Sequence, residues 1–271
     1  MSDHPLTLLC VHAHPDDEAS STGGVLARYS AEGVTTIVVT CTDGALGDAP
    51  DGTKPEDPGH DEAAVVAHRH EELVRSCELL GVTQLVELGF ADSGMDGWSH
   101  NERHDAFCQL DVAAAAAPLL EVLERYRPQV VVTYDERGFY GHPDHIQANR
   151  ITLEALRRCS YEPKLFYSTI PRSRLEEFSA RLAEAGVEGP GELPEDMGTP
   201  DDQIGAIVDC RRWAATKRAA LAAHGSQTDS SFFLQLSEED FTEAFGWEAF
   251  VSVQDPTGPH GLDDDLFARL R

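Results

Sequence analysis

Short, continuous apolar runs rich in β-branched residues alternate along this chain with longer amphipathic segments. The clearest runs cover residues 34–41 (VTTIVVTC) and 130–134 (VVVTY), and each has the length of one strand. Helical periodicity marks residues 21–32, 61–80 and 111–126, and a glycine follows each of the first two segments. Strands that alternate with helices are typical of βαβ units. The pattern therefore predicts an α/β fold with a mostly parallel sheet flanked by helices.

Two segments dense in histidine and aspartate follow predicted strands. Residues 12–18 (HAHPDDE) come directly after the first apolar run, residues 6–11. Residues 135–145 (DERGFYGHPDH) come directly after the run that ends at residue 134. Ligands bind beyond the carboxyl ends of the strands in such sheets, so the fold should bring both segments to the same functional edge.

The residue types in these segments indicate a metal site. His14 and Asp17 lie three apart on a turn that enters a helix, and His145 falls in the first turn of a later helix. Two imidazoles and one carboxylate form a three-ligand site with open positions, which suits a catalytic metal that binds water. Zinc is the first choice, and ferrous iron is the alternative. Aspartate and proline also begin ordinary helices, but two such segments at one edge favour the metal site.

Neighbouring side chains supply the remaining catalytic groups. Asp16 adjoins a predicted ligand but is itself free, so we expect it to take a proton from the metal-bound water as a general base. His142, as an imidazolium, is expected to stabilise a developing oxyanion or to protonate a leaving amine. Asp144 is expected to orient and charge His142, and Tyr140 to donate a further hydrogen bond to the oxyanion.

Charge and composition exclude several other functions. The 48 acidic and 21 basic residues give a net charge of −27, which disfavours general binding to nucleic acid or to an anionic membrane surface. No apolar run reaches the ~18 residues of a transmembrane helix, and the first residues lack the features of a signal peptide. The six cysteines are spread without a Cys-x-x-Cys pair. We therefore expect a soluble cytoplasmic protein with reduced thiols, and the sequence leaves a homo-oligomer open.

Residues 12–18 together with residues 141–145 (GHPDH) resemble the paired motifs of the PIG-L/LmbE-like N-deacetylase family. The similarity covers roughly residues 6–170, and weaker features reach about residue 230. It implies a Rossmann-like fold and a zinc ion that helps to remove acyl groups from glucosamine-type amines. The site residues that it implies agree with those above: the ligands His14, Asp17 and His145, the base Asp16, and His142 as oxyanion stabiliser or acid.

Three further positions narrow the resemblance to the mycothiol enzymes within the family. Arg69 lies in a segment that resembles the family's arginine helix, and Asp92 begins a matching Asp-Ser-Gly-Met segment. The resemblance implies that both residues hold hydroxyl groups of a sugar linked to inositol. Asp48 falls where the related enzymes carry a substrate-contacting acidic residue. Charged forks and carboxylates suit the recognition of a polyol.

Departures from the family pattern leave the substrate open. Residues 42–47 lack an acidic pair, residues 19–22 lack a lysine, and residues 137–139 (RGF) replace a more usual Asn-Gly-Gly. The first substrate is an N-acetylglucosaminyl-inositol; a mycothiol S-conjugate or an aminoglycoside-like natural product is the alternative. A non-catalytic metal-binding or sugar-binding module is the alternative from a different class. The presence of Asp16 and His142 argues against it, since binding alone needs neither.

The predicted chain organisation is a Rossmann-like catalytic core, residues 1–170, with a C-terminal extension, residues 171–271, that completes the pocket within the same domain. In the extension, residues 172–185 and 210–223 read as helices and residues 204–208 as a strand; the residues after 241 match neither pattern. The predicted activity is zinc-dependent hydrolysis of a linear amide on the 2-amino group of a glucosaminide, a small amino-sugar substrate.

Overall fold

The computed structural model describes residues 5–177, 197–227, 233–258 and 261–271. The strands are β1 (Thr7–His12), β2 (Thr35–Thr42), β3 (Gln84–Phe90), β4 (Val130–Thr133), β5 (Lys164–Thr169), β6 (Ala206–Asp209) and β7 (Trp247–Gln254). The longer helices are α1 (Asp17–Ala31), α2 (Glu62–Leu80), α3 (Val112–Tyr126), α4 (Pro143–Arg158), α5 (Ala214–Ala223) and α6 (Glu238–Phe245). A single helical turn, Gly138–Gly141, precedes α4.

The seven strands form one sheet in the order β3-β2-β1-β4-β5-β7-β6. The pairs among β1 to β5 are parallel, and β7 runs antiparallel between β5 and β6. The predicted α/β fold with a mostly parallel sheet is confirmed. The order of the strands reverses between β1 and β4, and a crevice opens at such a reversal beyond the carboxyl ends of the strands. Both histidine- and aspartate-rich segments begin at this reversal.

Two hydrophobic cores cover the two faces of the sheet. Successive side chains of a strand point to opposite faces, so Leu8 of β1 joins one core and Leu9 joins the other. The first core includes Leu73 of α2, and the second includes Leu119 of α3 and Ile151 of α4. Because both faces are buried, the strands read as continuous apolar runs rather than as alternating patterns.

The structure differs from the sequence-based expectation at two elements. Helix α1 begins at Asp17 rather than near residue 21, because its first turn carries charged site residues that hide the apolar periodicity. Strand β7 lies in the stretch after residue 241 that matched no pattern. The predicted strand at 204–208 and helix at 210–223 correspond to β6 and α5. Of the predicted helix at 172–185, residues 172–177 are helical and the remainder lies outside the described residues.

The C-terminal part of the chain is built into the same sheet through β6 and β7. At the amino end of β5, the buried Lys164 Nζ lies 2.9 Å from an Asp255 carboxylate oxygen and donates to the Ala268 carbonyl oxygen at 2.8 Å. These contacts tie the end of the chain to the parallel core. Within the described ranges, none of the helices is both long and apolar enough to cross a bilayer.

Candidate metal centre and active site

The ends of β1 and β4 bring the two histidine- and aspartate-rich segments together. The strands are hydrogen-bonded neighbours, so the turn after β1 faces the turn that leads into α4. The Oδ2 atom of Asp17 lies 3.3 Å from His14 Nδ1 and 3.5 Å from His145 Nε2. All three side chains are buried. The three residues that were expected to bind a metal therefore form one compact cluster.

Two observations test whether this cluster fits a metal ion. Both ring nitrogens of His145 are buried without a hydrogen-bond partner among the described residues. Leaving buried polar atoms unpaired costs free energy, and a bound ligand would remove that cost. Burial opposes a charge on His14, yet hydrogen bonds with Asp144 and Asp17 hold its pKa well above the ordinary value. The site thus favours positive charge and presents unused nitrogen donors, as a divalent cation requires. One ring nitrogen from each of His14, His142 and His145 also lies within 4.8 Å of the others.

Tyr134, the residue directly after β4, supports this cluster and was missed in the sequence. Its hydroxyl donates to Asp17 Oδ2 at 2.7 Å and accepts from the Ala13 amide at 2.8 Å. Its ring stacks on His145 with centroids 4.1 Å apart. The sequence did carry an indication of this role, because a tyrosine ends the apolar run 130–134 at the edge of the sheet where ligands bind.

Asp16 lies beside the cluster but faces another partner. Its backbone adopts a left-handed conformation with φ 119° and ψ −27°, and its carboxylate lies 3.1 Å from Arg69 Nη2. Burial raises the pKa of Asp16 to about 6, although Arg69 opposes the shift. By contrast, His145 and His14 outweigh burial and hold the pKa of Asp17 well below its ordinary value. A carboxylate with a pKa near 6 can accept a proton close to neutral pH.

The buried Arg69 guanidinium joins the loops that follow β1 and β2. Besides its ion pair with Asp16, it donates from Nη2 to the Pro15 carbonyl oxygen at 2.5 Å and from Nη1 to the Gly44 carbonyl oxygen at 2.8 Å. Gly44 has φ 67°, and a Cβ there would lie 2.6 Å from Nη1, so the close approach requires glycine. Arg69 therefore binds protein groups at three points beside the site where it was expected to bind substrate.

His142 and Asp144 do not form the pair that was expected. The Asp144 carboxylate lies 3.2 Å from His14 Nε2 and accepts from the Ser93 amide at 2.9 Å. His142 is instead the N-cap of α4, where its Nδ1 accepts the Asp144 amide at 3.2 Å. A ring whose Nδ1 accepts a hydrogen bond carries its proton on Nε2. Burial and the neighbouring histidines lower the pKa of His142, a direction that favours a neutral ring over the expected imidazolium.

The remaining predicted residues lie around this centre. Asp92 is buried with an oxygen 3.8 Å from His14 Nε2, and its carboxylate also accepts the Gly94 amide at 2.8 Å. The Tyr140 ring is 42% exposed, and its centroid lies 5.2 Å from that of His145. Asp48 lies farther along the loop after β2, where its carboxylate forms an ion pair with Lys54 at 2.6 Å.

The Asp48 loop is held by the segment that follows α5, a connection that the sequence did not reveal. The Gln227 side chain accepts the Asp48 amide at 3.2 Å and donates to the Asp48 carbonyl oxygen at 3.1 Å. The preceding Ser226 donates its amide and its hydroxyl to the Glu72 carboxylate of α2 at 2.8 and 2.7 Å. The C-terminal part of the chain thus contacts a loop at the functional edge.

Solved structures share this fold. The N,N'-diacetylchitobiose deacetylase of Pyrococcus horikoshii superposes with a TM-score of 0.58 over 91% of this chain and 83% of that chain, at 22% identity. The 4-carboxy-2-hydroxymuconate hydratase GalB of Pseudomonas putida superposes with a TM-score of 0.61 over 94% of this chain and 99% of that chain, at 16% identity. A deacetylase and a hydratase both have this architecture, so the structural likeness alone identifies the fold and not the reaction.

Sequence comparison is more specific. A protein of Salinispora arenicola is named 1D-myo-inositol 2-acetamido-2-deoxy-alpha-D-glucopyranoside deacetylase. It is 40% identical over an alignment of 284 positions that covers 97% of this chain and 91% of that protein. The family described as PIG-L, GlcNAc-PI de-N-acetylase, matches residues 9–156, and this range contains both histidine- and aspartate-rich segments. The chain belongs to the PIG-L family.

Proposed function

We propose that this chain is a zinc-dependent N-deacetylase that removes the acetyl group from a 2-acetamido-2-deoxyglucoside joined to myo-inositol. The observation that carries the proposal is the position of Asp16. A carboxylate with a pKa near 6 lies beside a buried cluster of two imidazoles and a carboxylate but is paired with Arg69. The full-length similarity to deacetylases of such a substrate supports the same reaction.

We assign His14, Asp17 and His145 as the residues that hold the metal. Two nitrogen donors and one carboxylate suit zinc or ferrous iron, and zinc is the ion that we propose. When bound, the ion polarises the amide carbonyl and makes water a better nucleophile at neutral pH. The carboxylate of Asp144, 3.2 Å from His14 Nε2, and the hydroxyl of Tyr134 on Asp17 hold these ligands in orientation.

The other side chains move the protons and stabilise charge. Asp16 takes the proton of the attacking water and returns it to the amine nitrogen as the carbon–nitrogen bond breaks. The Nε2–H of neutral His142 donates to the developing oxyanion, and the Tyr140 hydroxyl donates to the same oxygen. Because His142 uses Nδ1 to cap α4, its donor direction is fixed before substrate arrives.

Recognition of the sugar and the inositol is assigned to Asp92, Asp48 and Arg69, as the family resemblance implies. We also propose that residues 171–271 complete the pocket. The two hydrogen bonds between the Gln227 side chain and the Asp48 backbone support this role. In this proposal, Arg69 binds the substrate while its ion pair with Asp16 remains intact. The cytoplasmic location expected from the cysteine pattern stays a prediction.

The direct test is release of acetate and primary amine from N-acetylglucosaminyl-inositol by zinc-loaded protein, beside protein treated with a chelator. We expect release from the loaded protein and its loss with the chelator. Asp16→Asn should lower kcat by about 10²- to 10⁴-fold while it retains about one zinc per chain. A wild-type protein that holds zinc but releases nothing, or an Asp16→Asn variant with full activity, would contradict the proposal.

A further inference from the structure

Asp16 occupies the N-cap of α1 without performing the usual task of that position. An aspartate at an N-cap ordinarily accepts an amide of the first turn with its carboxylate and has an extended backbone. Here the backbone is left-handed, and the carboxylate accepts none of the first-turn amides of α1, all of which the structure describes. The left-handed conformation is rare for a residue with a side chain and persists only where its surroundings impose it.

Glu18, two residues later, supplies the contact that holds this backbone. Its Oε2 atom accepts the Asp16 amide at 3.0 Å. The Glu18 side chain is fully buried, so this carboxylate cannot exchange the bond for water. The Asp16 carboxylate is thereby left to pair with Arg69 instead of capping the helix.

The second oxygen of Glu18 is fixed from two distant parts of the chain. Its Oε1 atom accepts the hydroxyl of Ser76 on α2 and lies 2.8 Å from Nε2 of His224, which directly follows α5. Both partners are buried. Although burial opposes it, Glu18 raises the pKa of His224 above the ordinary value, which favours the imidazolium that donates to Glu18.

We propose that Glu18 is a positioning residue for the catalytic base, held in place by Ser76 and His224. This inference rests on the proposed function, in which Asp16 carries the proton. Glu18 does not touch the substrate or the metal ligands in this role. It fixes the backbone of Asp16 and so determines where the carboxylate of Asp16 lies relative to the reacting water.

A second buried carboxylate, which contacts the same helix from a neighbouring strand, provides a matched control. Glu248 of β7 accepts the amides of Gly24 and Val25 in α1 at 2.7 and 2.8 Å, and it pairs with the buried Lys217 at 2.7 Å. Like Glu18, it is a buried glutamate that accepts backbone amides and has a cationic partner from α5 or its end. The amides that it accepts lie eight and nine residues after Asp16 and outside the catalytic site.

The test compares Glu18→Met with Glu248→Met, since methionine keeps the length of the side chain but cannot accept the amides. We expect Glu18→Met to lower kcat by about 10²-fold with KM within threefold and zinc content unchanged. Glu248→Met should lower the unfolding temperature but keep kcat within about threefold. Glu18→Gln should recover most of kcat, because its amide oxygen can still accept the Asp16 amide.

A readout that needs no substrate accompanies the kinetics. Hydrogen exchange of the Asp16 amide, followed in peptides that span residues 13–20, should be about tenfold faster in Glu18→Met and unchanged in Glu248→Met. Ser76→Ala is a milder variant for use if Glu18→Met does not fold, and its kcat should fall about tenfold at constant KM, which exceeds the change allowed for Glu248→Met.

The outcomes separate this inference from the proposed function. If wild-type protein releases no acetate, the proposed function fails, and exchange at Asp16 still shows whether Glu18 holds that residue. If the wild type is active and Glu18→Met retains kcat, or loses no more than Glu248→Met does, the positioning role is wrong. A loss of zinc that parallels the loss of kcat would likewise overturn it.

Discussion

Asp16 and Asp17 are consecutive and chemically identical, yet their surroundings give them opposite properties. Asp17 faces the imidazoles of His14 and His145, which outweigh burial and hold its pKa well below the ordinary value. Burial dominates at Asp16 and raises its pKa to about 6. Two carboxyl groups with pKa values pushed apart are typical of a site where one residue binds a cation and the other transfers a proton.

The hydroxyl of Tyr134 gives a prediction about how Asp17 is oriented to bind a metal. Tyr134→Phe removes the hydroxyl that donates to Asp17 Oδ2 and accepts the Ala13 amide, while the ring that stacks on His145 remains. We expect zinc affinity to fall by about 10- to 100-fold, because a carboxylate ligand without its hydrogen-bond partner is less well oriented. Competition with a chelating dye measures the dissociation constant.

Tyr161→Phe is the matched control for this prediction. The Tyr161 hydroxyl also donates within the protein, to the Leu123 carbonyl oxygen at 3.2 Å, but it lies away from the metal cluster. Its removal should leave zinc affinity unchanged. Equal affinities in wild-type protein and Tyr134→Phe would show that the hydroxyl does not orient Asp17.

At the scale of the elements, the sequence predicted the parts whose chemistry is local. The apolar runs at 34–41 and 130–134 predicted buried parallel strands. The two histidine- and aspartate-rich segments predicted the edge of the sheet at which these segments meet. Strand β7 could not be predicted, because it is inserted antiparallel between two strands that lie earlier in the chain. Such a position depends on long-range pairing rather than on the residues of the strand.

The contacts between elements were hidden for the same reason. Asp144 was expected to pair with His142, two residues away, but its carboxylate reaches His14 across the junction of β1 and β4. Gln227 holds the loop of Asp48 although the two residues are 179 positions apart. Spacing along the chain identifies which residues carry chemistry, whereas their partners follow from the three-dimensional packing.

The junction between β5 and the end of β7 gives a prediction about stability and pH. Burial tends to raise the pKa of Asp255, but its hydrogen bond with the buried Lys164 outweighs this effect and lowers the pKa. A carboxyl group with a lowered folded-state pKa contributes stability above its unfolded pKa of about 3.9, and this contribution is lost as pH falls through the folded-state value.

Asp255→Asn should therefore destabilise the protein by about 3 kcal/mol at neutral pH, because it leaves Lys164 buried without its charged partner. The difference in unfolding free energy from wild type should be constant between about pH 5 and 7 and shrink below about pH 4. Urea denaturation across this range measures it. Glu78→Gln breaks an ion pair whose side chains are each 62% exposed and should show no such difference. A difference for Asp255→Asn that persists undiminished at pH 3 would contradict the assignment.

At the scale of the whole molecule, the cluster around His14 concentrates the excess of negative charge that the entire chain shares. The net charge is −27, and repulsion among like charges destabilises a compact state. Asp17, Asp92 and Asp144 all have an oxygen within 3.8 Å of a nitrogen of His14, so the site is an acidic centre inside an acidic protein. A divalent cation bound at this cluster would relieve the local repulsion.

Metal binding should accordingly stabilise the folded chain in a way that depends on the histidine ligands. Zinc at about 100 times its dissociation constant contributes about 2.7 kcal/mol, which corresponds to an unfolding temperature about 5 °C higher for a chain of this size. His145→Ala should abolish the increase, because both ring nitrogens of this buried side chain lack a hydrogen-bond partner among the described residues and are open to the ion. His70→Ala, which removes an exposed histidine on α2, should retain the increase in unfolding temperature.

Calorimetry of chelator-treated protein with and without added zinc, in about 0.15 M salt to screen non-specific effects, makes the comparison. An equal increase in both variants would mean that zinc stabilises the chain through its acidic surface and not through the cluster at the ends of β1 and β4.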